Sequence, residues 1–213
     1  MSMSQGASKG VFSRALGIFV FFTILCGVVF TLVITGIAQV VFPYQANGQI
    51  ITVDGKTYGS NLIGQQFNDA KHMWGRVQNL SVTEDPATGD LAVYSGPSNK
   101  TPAGDYKPDA DGNEGFKQTV ADRVKMIKEA NPDADMDKVP QDLVTNSGSG
   151  LDPDISRDAA EYQVPRLVKE TGKSKEEIEE IINKCSNGKF LGVFGEDTVN
   201  VLKVNLMLDG ILK

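Results

Sequence analysis

The sequence predicts an α+β protein: one N-terminal transmembrane helix followed by a single extracytoplasmic domain, mostly helical with a short β-hairpin. Three observations carry this reading. Residues 15–42 hold no charged side chain, and the next charge downstream is Asp54. About 20 apolar residues cross a hydrocarbon core as a helix, so this run can span with tilt. The remaining residues 43–213 are enough for one domain that buries a core without disulfides. In that domain, apolar residues recur at helical spacing in several stretches, and one Asp-Gly turn marks the hairpin.

Residues 1–14 are short, polar and Ser/Gly-rich, and read as a disordered cytoplasmic tail. Gly36-Ile37-Ala38 would pass as a signal-peptide cleavage site, but signal h-regions are only about 7–15 residues long, and residues 15–42 read as an uncleaved anchor. Within the span, Thr23, Gly27, Thr31 and Thr35 repeat every four residues and form a ridge of small side chains. Such ridges let another membrane helix approach closely. Pro43 ends the helix, and Tyr44 suits the water interface.

The domain, residues 43–213, opens with residues 49–53, Asp54-Gly55 and residues 56–58. This is a hairpin signal, because Asp-Gly supplies the positive φ angles of a type I′ turn. Residues 59–67 follow as a strand or turn. From His72 to Asn113 the chain is rich in Gly, Pro, Ser and Asp, and reads as one long irregular loop. Phe116, Val120, Val124 and Ile127 then share a helix face that Asn131-Pro132 stops. After the loop 146–155, Ser156 caps a helix running to Thr171, with a kink or break at Pro165 and closure at Gly172. Ser174 and Glu177 form a capping box for the next helix, whose Ile178, Ile181, Ile182 and Cys185 lie on one face. Residues 199–208 alternate like a strand at Leu202, Val204, Leu206 and Leu208, yet their composition tilts to helix.

Charge gives the chain a direction. Lys9 and Arg14 are the only charged residues before the span. The part after it holds all 27 Asp and Glu and 19 of the 21 Lys and Arg, a net of −8. Positive charge before the span places the N-terminus in the cytoplasm and the domain outside, in a single-pass plasma-membrane topology. An acidic domain argues against nucleic-acid or anionic-lipid binding. The chemistry of an enzyme is sparse. His72 is the sole histidine and no nucleophile elbow is present, so neither a Ser-His-Asp triad nor a two-His metal site can be assembled. Gly172-Lys173-Ser174 lacks the upstream glycine of a phosphate loop and reads as a helix stop and start. Residues 109–113 and Asp133, Asp135 and Asp137 begin like calcium loops but lack the sixth-position Gly and twelfth-position Glu. Asn79 and Asn99 head glycosylation sequons. Cys26 lies in the span, and Cys185 falls on an apolar helix face where burial is expected.

Several segments in order resemble a known family. They are Gln45-Ala46-Asn47-Gly48 after the helix, Gly59-Ser60-Asn61-Leu62-Ile63-Gly64-Gln65, and the run from Asp142 through Ser147-Gly148-Ser149-Gly150 to Ser156. Ala159-Ala160-Glu161-Tyr162-Gln163-Val164-Pro165-Arg166, Gly195-Glu196, Val199-Asn200-Val201-Leu202 and Asn205-Leu206-Met207-Leu208-Asp209 complete the set. Together they resemble the C subunit of the Kdp-type potassium-transporting ATPase. Two segments depart from the pattern: Gly75-Arg76-Val77-Gln78 stands for Gly-Arg-Pro-Ser, and Ser95-Gly96-Pro97-Ser98-Asn99 for Ser-Gly-Gly-Ser-Asn.

The resemblance implies a non-catalytic accessory subunit of an ATP-driven high-affinity potassium uptake pump. Its implied partners are a channel-like potassium-translocating subunit, a P-type ATPase subunit and membrane lipid, with no nucleic acid. It has no cofactor of its own; ATP, Mg and K+ belong to the partner subunits. The family description adds an effect on the ATPase subunit's affinity for ATP, for which Gln163, Ser147, Gly148, Ser149 and Gly150 are the residues to test. The outside placement instead suggests a cap over the external potassium entrance. The alternative is a membrane-anchored extracellular solute- or cell-wall-binding module, with an anchored hydrolase third.

Overall fold

The computed structural model describes residues 5–85, 88–96, 116–135, 137–189 and 191–213. Its contacts divide the chain into two compact units, residues 1–50 and residues 51–213.

The first unit is helical. Helix α1, Gln5–Phe22, passes into a π-helical turn, Thr23–Val29, and on into α2, Phe30–Val41. Residues 5–14, expected as a disordered tail, are therefore already helical; they hold no proline to stop the helix from extending backwards. Gly10–Val41 is long and apolar enough to cross a membrane, with a mean hydropathy of 2.7 in its best window and none of that window buried. Pro43 does not simply end the helix. Phe42, pushed off helical geometry at φ −132°, breaks it, and Pro43 then opens one further turn, α3, Pro43–Ala46. Asn47 closes that turn. Its amide donates to the Pro43 carbonyl at 2.7 Å and exchanges hydrogen bonds with the Gln39 amide at 3.0 and 3.3 Å.

The second unit opens with the expected hairpin, β1, Ile50–Val53, and β2, Lys56–Ser60. Asp54 at φ 51° and Gly55 at φ 78° make its type I′ turn. The long loop expected over residues 72–113 is contradicted in part. It contains an antiparallel hairpin, β3, Leu80–Glu84, and β4, Leu91–Ser95, in register from Leu80 opposite Ser95 to Glu84 opposite Leu91. The alternation Leu80-Ser81-Val82-Thr83 is a strand signal that the surrounding Gly and Pro obscured. The sequon at Asn99 and the segment 109–113 lie outside the described residues.

Helix α4, Phe116–Ala130, follows, then a single 3-10 turn, Gln141–Leu143. The expected loop 146–155 ends as a strand, β5, Asp154–Ser156, which leads straight into α5, Arg157–Tyr162. Ser156 caps α5 by accepting from the Ala159 N–H at 3.2 Å. The break falls at Gln163, two residues before Pro165, and α6, Val164–Thr171, ends at left-handed Gly172 (φ 72°). The capping box of α7, Lys175–Lys184, is complete: the Glu177 N–H donates to Ser174 Oγ at 3.2 Å and the Ser174 N–H to Glu177 Oε2 at 2.8 Å. Two short strands, β6, Ser186–Asn187, and β7, Thr198–Asn200, join β5 in the order β5-β7-β6, all antiparallel.

The ambiguous last segment is both things in turn. Val199 and Asn200 finish β7, and α8, Val201–Leu208, continues with Asn200 as its cap. The helix carries apolar residues on two sides because both sides are buried. Val201, Val204 and Leu208 join the main core of Met73, Trp74, Ile127, Leu143, Ile155, Leu167, Ile178 and Ile182. Leu202 and Leu206 form a second cluster with Ile51 of β1. Strand-like alternation was the sum of those two faces. The domain is thus α+β, with three small sheets among the described residues rather than one hairpin among helices.

Gly64 shows how closely the loops pack. Its N–H donates to the Leu151 carbonyl at 2.9 Å, and a Cβ there would stand 2.5 Å from the Asp152 carbonyl oxygen. Backbone would have to move, so Gly64→Ala is expected to cost about 1–3 kcal/mol of the kind seen for overpacking, read as a lower midpoint in urea. An unchanged midpoint would show that residues 64 and 152 separate freely.

Candidate functional site

The polar interior of the domain converges on two neighbouring residues, Met73 and Trp74, which are 0% and 3% exposed. Each has its backbone N–H and C=O taken by one side-chain amide. Asn205 of α8 accepts from the Met73 N–H at 2.7 Å and donates to its carbonyl at 3.0 Å. Gln163, at the junction of α5 and α6, accepts from the Trp74 N–H at 2.7 Å and donates to its carbonyl at 3.0 Å. Both amides are almost fully buried. A buried extended segment without a strand partner must find hydrogen bonds somewhere, and these two side chains take the place of neighbouring strands.

Gln163 has no capacity left over. Its Nε2 also donates to the Ala159 carbonyl at 3.1 Å, and its Oε1 also accepts from Arg166 Nη2 at 2.7 Å. An amide offers two donor hydrogens and two acceptor lone pairs, and all four positions are filled. Arg166, 4% exposed, gathers the surrounding loops: Nε donates to Asn131 Oδ1 at 3.0 Å, and Nη1 to the carbonyls of Ala70 and His72. These partners are neutral oxygens, and burial pushes the guanidinium pKa down to about 10, against the pull of Asp69 and Glu170. The Arg166 guanidinium also lies 4.7 Å from the Trp74 ring centre, and that of Arg123 lies 5.4 Å from it. Arg123, buried and lowered in pKa by that burial, donates through Nε to the Leu143 carbonyl at 2.9 Å.

The loop 147–150 is a separate feature. Ser147 Oγ accepts from the Gly150 N–H at 3.1 Å, and Ser149 Oγ from the Leu151 N–H at 3.3 Å. Ser147 and Gly150 are buried, whereas Gly148 and Ser149 are exposed. Gly150 has φ 73°, and its carbonyl accepts from the Asn79 N–H at 2.9 Å while Asn79 Nδ2 donates to the Gly96 carbonyl. The Asn79 sequon amide is therefore already engaged. Arg76 ties the same region together, 3.7 Å from Asp142 and 3.5 Å from Asp152. Of the five residues singled out for a nucleotide effect, Gln163 is locked in the interior. The N–H groups of Gly150 and Leu151 are bonded within the loop.

On the helix, Gly27 meets nothing within 4 Å of where a Cβ would stand. The Thr23 and Thr31 hydroxyls donate back to the carbonyls of Phe19 (2.8 Å) and Cys26 (3.4 Å). The hydroxyls of Thr23 and Thr31 are therefore spent on the helix's own backbone. Thr35 continues the ridge in α2. Among the described residues no group of three His, Cys, Asp or Glu is placed to hold a metal ion. Asp135 instead pairs with Lys138 at 3.1 Å. Cys185 is buried against Met207 Sδ at 3.5 Å, and burial pushes its thiol pKa up to about 11.

His72 occupies the edge of the clamp. Its Nδ1 lies 2.7 Å from Asp69 Oδ2 and its Nε2 3.1 Å from Asp209 Oδ1, just beyond α8. Burial alone would lower the imidazole pKa, but the hydrogen bonds to Asp69 and Asp209 outweigh it and raise it. Partial burial would raise the Asp69 pKa, but the bond to His72 outweighs that and lowers it.

Reading the sequence by motif missed the roles of Trp74, Asn205, Asn131 and Arg123. One signal was present: Asn205 is an uncharged polar residue inside the apolar run 199–208.

Over residues 12–210 the chain matches the model of the family described as KdpC: K+-transporting ATPase, c chain. A relative from Clostridium botulinum (strain Alaska E43 / Type E3), named potassium-transporting ATPase KdpC subunit, is 50% identical over 206 residues, covering 96% of this chain and 98% of its own. The protein of that name from Clostridium perfringens is 50% identical over 90% of this chain and 93% of its own. One from Janthinobacterium sp. (strain Marseille) is 42% identical over 94% and 98%.

Replacing Gln163 by Leu strands both Trp74 backbone groups in an apolar interior, where each unsatisfied group costs about 1–3 kcal/mol. The expected loss is about 3–5 kcal/mol, read from chemical unfolding of the domain, and a loss below about 1 kcal/mol would refute the clamp. His72 gives a pH signature. A raised folded pKa means its contribution is full below the ordinary value of 6.5 and fades as pH rises through the folded value. The Asp69 contribution, with its lowered pKa, is present above 3.8 and fades on acidification. The Tm difference between wild type and His72→Gln should therefore be larger near pH 6 than near pH 9. A difference that grows toward pH 9 would reverse the assignment.

Proposed function

The chain belongs to the KdpC family, the c chain of K+-transporting ATPases, and from that premise we propose how its two units serve the pump. It is an accessory subunit of the potassium pump, and the match along nearly its full length carries that conclusion. The proposal concerns topology, partners and mode of action.

Gly10–Val41 spans the membrane as a single pass. Its 32 residues make a helix about 48 Å long at 1.5 Å per residue, more than the hydrocarbon thickness of about 30 Å, so it tilts or extends past the surface. Lys9 and Arg14 hold its N-terminus in the cytoplasm, and the domain lies outside the cell, where it caps the external potassium entrance. The ridge of Thr23, Gly27, Thr31 and Thr35 docks the span against a helix of a partner. In an α-helix each four-residue step overshoots a turn by about 40°. In a π-helical turn it undershoots instead. Placing Thr23–Val29 in that geometry offsets the drift and supports one ridge.

The partners of this reading are a channel-like potassium-translocating subunit and a P-type ATPase subunit. ATP, Mg and K+ belong to them. The filled hydrogen-bonding positions of Gln163 and the inward-bonded loop 147–150 support an influence on ATP use that travels through subunit contact rather than through a nucleotide pocket here.

The test is assembly and potassium-stimulated ATP hydrolysis of the pump purified with and without this chain. The complete pump should be stable and active, and a pump of equal activity without the chain would refute the supporting role. Gly27→Leu should leave insertion intact and reduce recovery of the chain with its partners severalfold. Protease added to intact cells or spheroplasts should digest residues 51–213. Protection of that domain from external protease would overturn the orientation.

A further inference from the structure

One apolar feature of the domain has no part in its core. Between β6 and β7, residues 188–189 and 191–197 lie outside both strands, and Leu191, Val193 and Phe194 are 76%, 75% and 64% exposed. Three large apolar side chains within four positions form a cluster unlike the scattered single residues normal on a protein surface.

The loop is built to present them. Its base is closed by the pairing of Asn187 with Thr198 and by Asp197 Oδ1, which accepts from the Lys189 N–H at 3.2 Å. The Gly192 N–H donates to the Lys189 carbonyl at 3.0 Å. Leu191, Gly192 and Gly195 all take positive φ, at 54°, 74° and 90°. For Leu191 that is a disfavoured conformation, accepted while its side chain faces solvent. The strand that the loop feeds is fixed in the core, with Val199 wholly buried.

We propose that this loop is an anchor that inserts into an apolar socket on a partner subunit of the pump, with basic residues around the socket's rim. This deepens the assembly role proposed above and rests on it. Local charge selects among possible occupants. Glu196 and Asp197 flank the apolar tip, with Lys189 opposite, on a segment of net charge −8 beyond the span. An anionic bilayer repels such a surface. A second copy of this chain would set acidic rims against each other, and like charges across an interface disfavour docking. A different protein with an apolar pocket and Lys or Arg at its edge fits both the tip and the flank. Burying Leu191, Val193 and Phe194 in such a pocket would remove their apolar surface from water, which favours docking.

The experiment uses the full-length chain co-expressed with its pump partners, which are purified through a tag on the ATPase subunit. The triple change Leu191→Ser, Val193→Ser and Phe194→Ser should leave the unfolding midpoint of the chain unchanged and cut its recovery with the pump at least tenfold. Glu196→Lys should also reduce recovery, testing the rim without altering the tip. Three controls run beside it: flotation with phosphatidylethanolamine–phosphatidylglycerol vesicles, sedimentation for self-association, and recovery of the wild-type chain. Wild-type recovery together with an equally recovered triple variant overturns the loop proposal alone. A variant that keeps full recovery but loses vesicle binding or self-association also overturns it, and reassigns the tip to lipid or to a second copy. A wild-type chain that fails to co-purify sinks the assembly reading itself.

Discussion

The domain depends on two side-chain amides that complete the hydrogen bonding of an extended segment. Met73 and Trp74 carry no strand partner, yet both lie in the core. Asn205 and Gln163 supply what a sheet would have supplied. Around that fixed point the rest falls into place. Arg166 binds the carbonyls of Ala70 and His72 and the side chain of Asn131, bringing the end of α4 and the loop before Trp74 to the α5–α6 junction. Such a network is stable only when complete, because each orphaned group would cost its full desolvation. Two buried guanidiniums lie near one indole and find carbonyl oxygens and a π face, Arg166 through Nη1 and Arg123 through Nε.

Much of the architecture was legible in the sequence where one residue determines one local geometry. Asp54-Gly55 makes a type I′ turn wherever it sits between strands, and Ser174 with Glu177 caps a helix regardless of what the helix packs on. The face of Ile178, Ile182 and Cys185 was legible for the same reason, since helical spacing is local. The hairpin of Leu80–Glu84 with Leu91–Ser95 was not, because its short alternations sit among turn-forming residues. Residues 199–208 could not be resolved by period, because two apolar clusters on opposite sides erase amphipathicity.

The site was legible in a narrower sense. Gln163 and Arg166 fall within a recognisable segment, so the sequence drew attention to the right place. Their purpose depends on Trp74, 89 positions away, and no local rule connects them. The loop 147–150 was singled out through the resemblance alone; what the structure adds is its local turn, in which the Gly150 N–H donates to Ser147 Oγ.

The distance between Met73 and Asn205 has a consequence in time. They are 132 residues apart along the chain. Ribosomes add roughly 5–20 residues per second, so synthesis of the intervening segment occupies roughly ten seconds. Throughout that interval Met73 has been made but its amide partner Asn205 has not, so that half of the clamp stays open. The nascent domain is therefore an obligate late folder, and any factor that shields unfinished chains has its longest opportunity here. Contacts of such separation also slow folding after release, since a large loop must be ordered before they form.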